Sequence, residues 1–176
     1  MKVLVSAATK HGATAEIALA IGTALNDANV EAVVIPPDAV TTVADYDAVV
    51  LGSGVYAGRW LDPARKLVDR NVNALKGRPV WLFSSGPVGD PPRPMEDPAD
   101  IAMLRERTGA RDHRIFAGKL IKHELGFAER AIVVAVRAAE GDFRQLAEIE
   151  EWAASIARVL KAEAPATEPV PVGSPS

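Results

Sequence analysis

The chain has 176 residues, of which 48% are apolar and 24% charged, and this balance is typical of one globular domain. Its net charge of −3 provides no cationic field for nucleic acid, so nucleic acid is not an expected partner. The absence of cysteine excludes disulfides, thiolate metal sites and cysteine nucleophiles, so any redox chemistry requires a bound cofactor.

Strands and helices alternate along the first half of the chain. Short apolar runs rich in β-branched residues predict four strands, over residues 2–6, 31–35, 46–51 and 79–84. Apolar residues at helical spacing predict helices over residues 13–28 and 62–77. The order along the chain is therefore strand, helix, strand, strand, helix, strand.

The second half begins with a loop and ends with a tail. Residues 86–98 are rich in proline and glycine, which predicts an ordered loop or lid. A helix over about 100–107 and a fifth strand over 114–120 follow, and the length of the apolar segment 126–139 favours a helix over a strand. Asp142 with Gln145 predicts a capping box for a long amphipathic helix that ends near Lys161. We expect a domain over residues 1–161 and a flexible, proline-rich tail over 162–176.

The chain shows no targeting or membrane signal. Its longest apolar run, residues 131–136, is far shorter than the roughly 20 residues that cross a bilayer. The N-terminus lacks the apolar core and cleavage site of a signal peptide. We therefore expect a cytoplasmic location and no membrane span.

Alternating strands and helices predict a parallel, doubly wound sheet of five strands with helices on both faces. In such sheets, ligands bind beyond the carboxyl ends of the strands, where the winding reverses. The search for function is thereby confined to the three loops that follow the first, third and fourth predicted strands.

The first loop, residues 6–14, lies between a strand and a helix N-terminus, where free backbone N–H groups favour an anion. Its potential ligands are three hydroxyls, a glycine that permits close approach, and two cations: Ser6, Thr9, Thr14, Gly12, Lys10 and His11. The loop has neither the triphosphate-loop nor the dinucleotide glycine pattern, so a monophosphate is the better match. The alternative is a plain turn capped by Thr9 or Thr14.

The second loop, residues 52–60 (GSGVYAGRW), has three glycines and two aromatics where a planar ring could be held. Tyr56 or Trp60 could stack on such a ring or pack on the protein itself. The third loop, residues 84–90 (SSGPVGD), is small and tightly turned, as either a ligand site or a surface turn would be. Three such loops after successive parallel strands favour a site over unrelated turns.

These loops resemble those of the flavodoxin-like family, and the resemblance covers about residues 1–161. Within that family the chain is most similar to flavodoxin-domain proteins of the menaquinone-dependent protoporphyrinogen oxidase type, through GSGVYAGRW, FAGKL and EGDF…IEEWA. The resemblance implies the strand order 2-1-3-4-5 and a bound FMN.

The resemblance also implies which residues contact FMN. It implies phosphate contacts from Ser6, Thr9, His11, Gly12, Ala13 and Thr14. It implies ring contacts from Ser53, Gly54, Val55, Tyr56, Ala57, Ser85 and Gly86. Lys10, Gly58 and Pro87, from the same three loops, complete the predicted cofactor site.

The implied function is electron or hydride transfer by the cofactor, to a redox partner protein or to a small-molecule or quinone acceptor. Alternatives are a protoporphyrinogen oxidase-like enzyme and a non-enzymatic module that has lost the cofactor. Another is a carrier of the deazaflavin coenzyme F420, whose polyanionic tail would be met by basic residues: Lys10, Arg59, Arg93, Arg105, Arg107, Arg111 and Arg114. A hydrolase is poorly supported, because His11, His113 and His123 lie in no nucleophile or metal-ligand spacing. The oligomeric state does not follow from the sequence.

Overall fold

Five parallel strands form the centre of a computed structural model, which describes residues 1–86, 96–120, 126, 141–142 and 144–164. The strands of this sheet are β1 (Lys2–Ala8), β2 (Glu31–Val34), β3 (Ala48–Tyr56), β4 (Arg59–Trp60), β5 (Val80–Gly86) and β6 (Asp112–Ala117). The parallel strands lie in the order β2-β1-β3-β5-β6, and the short β4 pairs antiparallel with β3. Two further short strands, β7 (Lys119–Leu120) and β8 (Gly141–Asp142), pair only with each other in the described part of the chain.

Four helices and one 3-10 turn accompany the strands among the described residues. They are α1 (Ala13–Asp27), the turn Pro37–Ala39, α2 (Asp62–Lys76), α3 (Ile101–Thr108) and α4 (Leu146–Glu163). Counted over the parallel strands alone, the sheet order is 2-1-3-4-5, so the expected doubly wound fold is confirmed. None of the described helices is both long enough and apolar enough to span a bilayer.

Apolar side chains from the two faces of the sheet form two separate cores, because successive residues of a strand point to opposite faces. On one face, Phe83 and Phe116 of the sheet pack against Trp152 of α4, with Phe116 and Trp152 ring centroids 5.5 Å apart. On the other face, Leu51 and Leu82 pack in a cluster that includes residues of α2 and α3. The sheet is thus covered on both sides, as its near-continuous apolar strands require.

Several predicted boundaries were wrong. The third strand, expected to end at residue 51, continues to Tyr56, because β1 and β5 flank it and β4 pairs back on its end. The fifth predicted strand, over 114–120, is two strands, which are interrupted at Gly118. By contrast, the end of α4 at Glu163 agrees with the expected end near Lys161.

The predicted capping box was also wrong. Helix α4 begins after Gln145 without a side-chain cap, and the carboxylate of Asp142 instead accepts hydrogen bonds from Arg144. A charge-assisted bond to a guanidinium is stronger than a bond to a backbone amide, which explains the preference. The predicted helix over 126–139, most of the loop 86–98, and the end of the tail from 165 onwards lie outside the described residues.

Candidate functional site

The register of the sheet brings the starts of the three loops side by side. Ala8 at the end of β1 is paired with Ser53 of β3, and Ser53 is paired with Ser84 of β5. One row further, Gly54 is paired with Ser85. The carboxyl ends of β1, β3 and β5 therefore meet at one edge, the edge where parallel sheets bind ligands.

The first loop leaves the start of α1 uncapped by any side chain. Gly12 precedes the helix in a left-handed conformation (φ 86°), which favours glycine, and its N–H donates to the Thr9 hydroxyl oxygen at 2.9 Å. Ala13 and Thr14 are the first two helical residues, so their amides have no acceptor within the helix. A left-handed glycine, two early helical amides and a threonine hydroxyl together favour an anion.

Two hydroxyl residues of this loop are buried. Ser6 lies inside the sheet with no exposed surface, and among the described residues its hydroxyl has no hydrogen-bond partner. Thr14 is 4% exposed, and its hydroxyl lies 3.1 Å from the position that a Cβ on Gly54 would take. The start of α1 and the end of β3 therefore approach each other so closely that a side chain at residue 54 would crowd Thr14.

Tyr56 joins the first loop to the second. The Lys10 ammonium lies 5.2 Å from the centre of the Tyr56 ring, and the His11 ring centroid is 6.3 Å away, tilted by 52°. Lys10 and His11 of the first loop therefore both lie beside the half-buried aromatic of the second loop. The structure brings these three predicted residues together.

The second loop is a tight hairpin turn. Ala57 and Gly58 have positive φ angles of 49° and 72°, as a two-residue hairpin turn of the primed type needs, and they connect β3 to β4. Val55 is half-buried and is paired with Trp60 across this hairpin. A left-handed alanine costs about 1–2 kcal/mol relative to its usual conformation, and such strain is concentrated at functional turns.

Trp60 packs on the protein, which decides between the two interpretations of this aromatic. It is 2% exposed, and its indole N–H donates to the Ser84 hydroxyl at 2.7 Å. The Ser53 hydroxyl is also used internally: it donates to the Gly54 carbonyl at 2.8 Å and accepts the Leu61 N–H at 2.9 Å. Of the two aromatics in the second loop, only Tyr56 lies where a ring could reach it.

The third loop begins with the buried Ser84 and Ser85 and the half-buried Gly86, and Pro87 lies outside the described residues. A Cβ on Gly118 would lie 2.5 Å from the Gly86 carbonyl oxygen and 3.4 Å from the Ser85 hydroxyl. Glycine at 118 therefore lets the strand end of β6 pass directly against this loop. The FAGKL motif contained that glycine, but its reason becomes visible only in three dimensions.

Sequence reasoning missed a hydrogen-bonded chain that starts at the buried Ser84 of the third loop and ends at the exposed Asp97. The Ser84 hydroxyl lies 2.8 Å from Nε2 of His113, and Nδ1 of His113 lies 3.1 Å from a carboxylate oxygen of Asp97. The three residues come from β5, β6 and the segment before α3, so no sequence spacing could have revealed the chain. Burial lowers the pKa of His113 below its usual value of 6.5, against the opposing effect of Asp97.

This Ser–His–Asp geometry does not make a nucleophile. Ser84 has no exposed surface, and its oxygen already accepts the indole N–H of Trp60. A serine nucleophile must reach a substrate carbonyl, which a wholly buried hydroxyl cannot do. The arrangement instead connects three segments around the site.

Arg144 connects the start of α4 to the start of α1. Its guanidinium binds Asp142 and Glu16 and donates to the Ala13 carbonyl at 3.5 Å. The hydrogen bonds from Arg144 lower the pKa of Asp142 to about 2. The charges of Glu16 and Asp142 are thereby compensated next to the first loop.

Two of the basic residues considered for a polyanionic tail, Arg107 and Arg111, form ion pairs within the protein. Arg107 pairs with Asp69 of α2, and Arg111 pairs with Glu163 at the end of α4. The Arg111 backbone bonds to Val80 at the amino end of β5, opposite the three loops. Arg93 lies outside the described residues.

Comparison with known proteins agrees with this geometry. A family model described as Flavodoxin domain matches residues 4–146. A flavodoxin from the domain Archaea superposes with a TM-score of 0.65 at 23% identity, over 92% of this chain and 99% of its own. Flavodoxin 1 from Bacillus cereus gives 0.60 at 16% identity, over 90% and 98%.

A longer protein contains the same fold as one part. Rubredoxin oxygen:oxidoreductase from Desulfovibrio gigas gives a TM-score of 0.63 at 16% identity, over 92% of this chain and 36% of that protein. No curated protein matches the chain in sequence. At these identities the structural matches show the shared fold.

Proposed function

The chain belongs to the flavodoxin-domain family, and from that premise we propose that it binds FMN at the carboxyl edge of its sheet and transfers electrons or hydride. The observation that carries the proposal is the start of α1. There Gly12 is left-handed, its N–H donates to the Thr9 hydroxyl, and the amides of Ala13 and Thr14 have no side-chain cap. Amide and hydroxyl donors at a helix N-terminus fit a phosphate monoester.

Charge and burial support the same assignment. Lys10 adds positive charge at the loop, while Arg144 compensates the nearby Glu16, so a dianionic phosphate meets little repulsion. The Ser6 hydroxyl, which has no exposed surface and no partner among the described residues, lies inside the same end of the sheet. The donor set therefore fits the phosphate of FMN.

The flavin ring would supply one- or two-electron chemistry, and the protein would hold and tune it. We propose that Tyr56, Gly54, Ser85 and Gly86 border the ring, with Ser53, Val55, Ala57, Gly58 and Pro87 completing its surroundings. A backbone carbonyl between residues 54 and 58 would accept a hydrogen bond from the reduced ring. The Gly54 and Gly58 carbonyls already accept bonds from Ser53 and Ala99.

The proposal is tested by titrating the purified chain with FMN and with riboflavin, which lacks the phosphate. We expect FMN to bind at least tenfold more tightly, because hydrogen bonds to a charged group contribute about 1.5–3 kcal/mol each. Thr9→Val should weaken FMN binding about tenfold and leave riboflavin binding unchanged. Thr23→Val, on the exposed far side of α1, is the matched control. Equal affinities for FMN and riboflavin would contradict the phosphate site.

The alternatives differ in what the purified protein contains. Mass spectrometry of the small molecule released on denaturation distinguishes FMN from F420, and we favour FMN because Arg107 and Arg111 form ion pairs away from the loops. Menaquinone-dependent oxidation of protoporphyrinogen would indicate the oxidase, which rests on sequence motifs alone. A colourless protein that binds neither cofactor would indicate a non-enzymatic module. We propose that electrons pass to a redox partner protein or to a small-molecule or quinone acceptor.

A further inference from the structure

His113 is a buried titratable residue in contact with two segments of the site. Its side chain is 3% exposed, whereas its partner Asp97 is 63% exposed. On the inner side, Nε2 lies 2.8 Å from the hydroxyl of Ser84, the residue that precedes Ser85 of the third loop. On the outer side, Nδ1 lies 3.1 Å from Asp97.

The segment that contains Asp97 is hydrogen-bonded to the second loop. The Ala99 N–H donates to the Gly58 carbonyl at 2.8 Å, and the buried carboxylate of Asp100 accepts the Trp60 N–H at 3.2 Å. The Trp60 indole in turn donates to Ser84. His113 is therefore linked to the hairpin that contains Tyr56 by hydrogen bonds through Ser84 and Trp60, and through Asp97 by the backbone segment that bonds to this hairpin.

These hydrogen bonds fit the neutral form of His113. A carboxylate accepts but does not donate, so Nδ1 carries the proton and Nε2 is the acceptor for the Ser84 hydroxyl. A second proton on Nε2 would turn that nitrogen into a donor. The Ser84 hydroxyl, whose oxygen already accepts the Trp60 indole, would then have to find another acceptor in a fully buried position.

We propose that His113 is a positioning residue for the cofactor site, and that its protonation loosens the Ser84 contact and weakens cofactor binding at the second loop. This inference rests on the proposed FMN function. It assigns His113 no contact with the cofactor, since it acts through Ser84 and through residues 97–100.

The charged groups around His113 predict how its titration shifts. Among the described residues these groups are Asp97, which favours the charged ring, Arg105 of α3, which opposes it, and Asp112 of β6, which favours it. Asp97→Asn keeps an oxygen acceptor for Nδ1 but removes the charge that raises the pKa. The variant should therefore titrate at a lower pH than the unmodified chain. Glu96→Gln, which removes an exposed neighbouring carboxylate, is the matched control.

A first measurement needs no cofactor. The indole N–H resonance of Trp60 is followed by NMR as the pH of the full-length chain is lowered from about 8 to about 5. We expect one transition with a midpoint below 6.5, shifted down in Asp97→Asn, unchanged in Glu96→Gln and lost in His113→Gln. A Trp60 resonance that does not titrate, or that titrates equally in His113→Gln, would overturn the inference.

A second measurement tests the coupling. The dissociation constant of FMN is measured over the same pH range in the same four proteins, and we expect it to rise about tenfold as His113 becomes protonated, since one pKa unit of coupling equals a tenfold change. The FMN phosphate also titrates near this range, but the hydrogen bond of Asp97 is to His113. A transition that moves in Asp97→Asn therefore belongs to His113.

The outcomes separate the two proposals. If FMN binds and its pH dependence is the same in His113→Gln, the inference is wrong and the FMN function stands. If no FMN binds at any pH, the proposed function fails and the coupling with it, whereas the Trp60 titration still reports the His113 contact.

Discussion

Gly52 offers the sharpest test of the packing that supports the site. It lies inside β3, directly beside Phe83 of β5, and a Cβ at this position would lie well within 3.0 Å of three Phe83 ring carbons. The ring has little room to move, since Phe116 and Trp152 lie on it with centroids 6.1 and 6.2 Å away. In Gly52→Ala either the ring or the strand must therefore shift.

We expect Gly52→Ala to lower the free energy of unfolding by about 2–3 kcal/mol, the upper part of the range for overpacked cores. With a urea m value of about 2 kcal/mol/M, the unfolding midpoint should fall by about 1 M or slightly more. The melting temperature should fall by roughly 4–12 °C for a domain of this size. The assay is equilibrium urea unfolding followed by tryptophan fluorescence and circular dichroism.

Two further variants make the result interpretable. Gly86→Ala, where a Cβ would meet no heavy atom of the described residues within 4 Å, should change stability by less than about 0.5 kcal/mol. Phe83→Leu should make room, so the double variant Gly52→Ala/Phe83→Leu should lose less than the sum of its parts. An unchanged midpoint in Gly52→Ala, or equal losses at Gly52 and Gly86, would refute the reasoning.

Three more predictions concern charge and cofactor. The folded pKa of Asp142, about 2, lies below its ordinary 3.8, so the stabilisation that its carboxylate gains from Arg144 is present above pH 3.8 and is lost as the pH falls toward 2. This stabilisation is worth under about 1 kcal/mol, because the pair is screened by solvent. Arg144→Met should abolish this pH dependence in acid-unfolding curves. The pKa of His113 is also lowered, so the unfolded chain takes up the proton first, and stability should fall as the pH drops below 6.5. In His113→Gln, the urea midpoint should depend less on pH over that range. Gly54→Val should crowd Thr14 and shift both one-electron potentials of bound FMN, and unchanged potentials measured by redox titration would count against the ring position.

The fold was predictable from the sequence because its signals are local. Apolar runs and helical spacing identified every parallel strand and the helices α1, α2, α3 and α4, and alternation along the chain is enough to require parallel pairing. The boundaries were less predictable. Glycines at 52 and 54 indicated a loop, but the neighbouring strands kept them in β3, since Phe83 covers Gly52.

The candidate site also has a part that local sequence predicted and a part that it did not. The first loop could be recognised as an anion site because strand, glycine and helix start are adjacent in sequence, and that adjacency alone sets the direction of the free amides. The burial of Trp60, the contact of Lys10 and His11 with Tyr56, and the chain from Ser84 to Asp97 were decided only by tertiary structure. These contacts join residues far apart in the chain, and their geometry depends on strand register and on which side chains the core leaves room for.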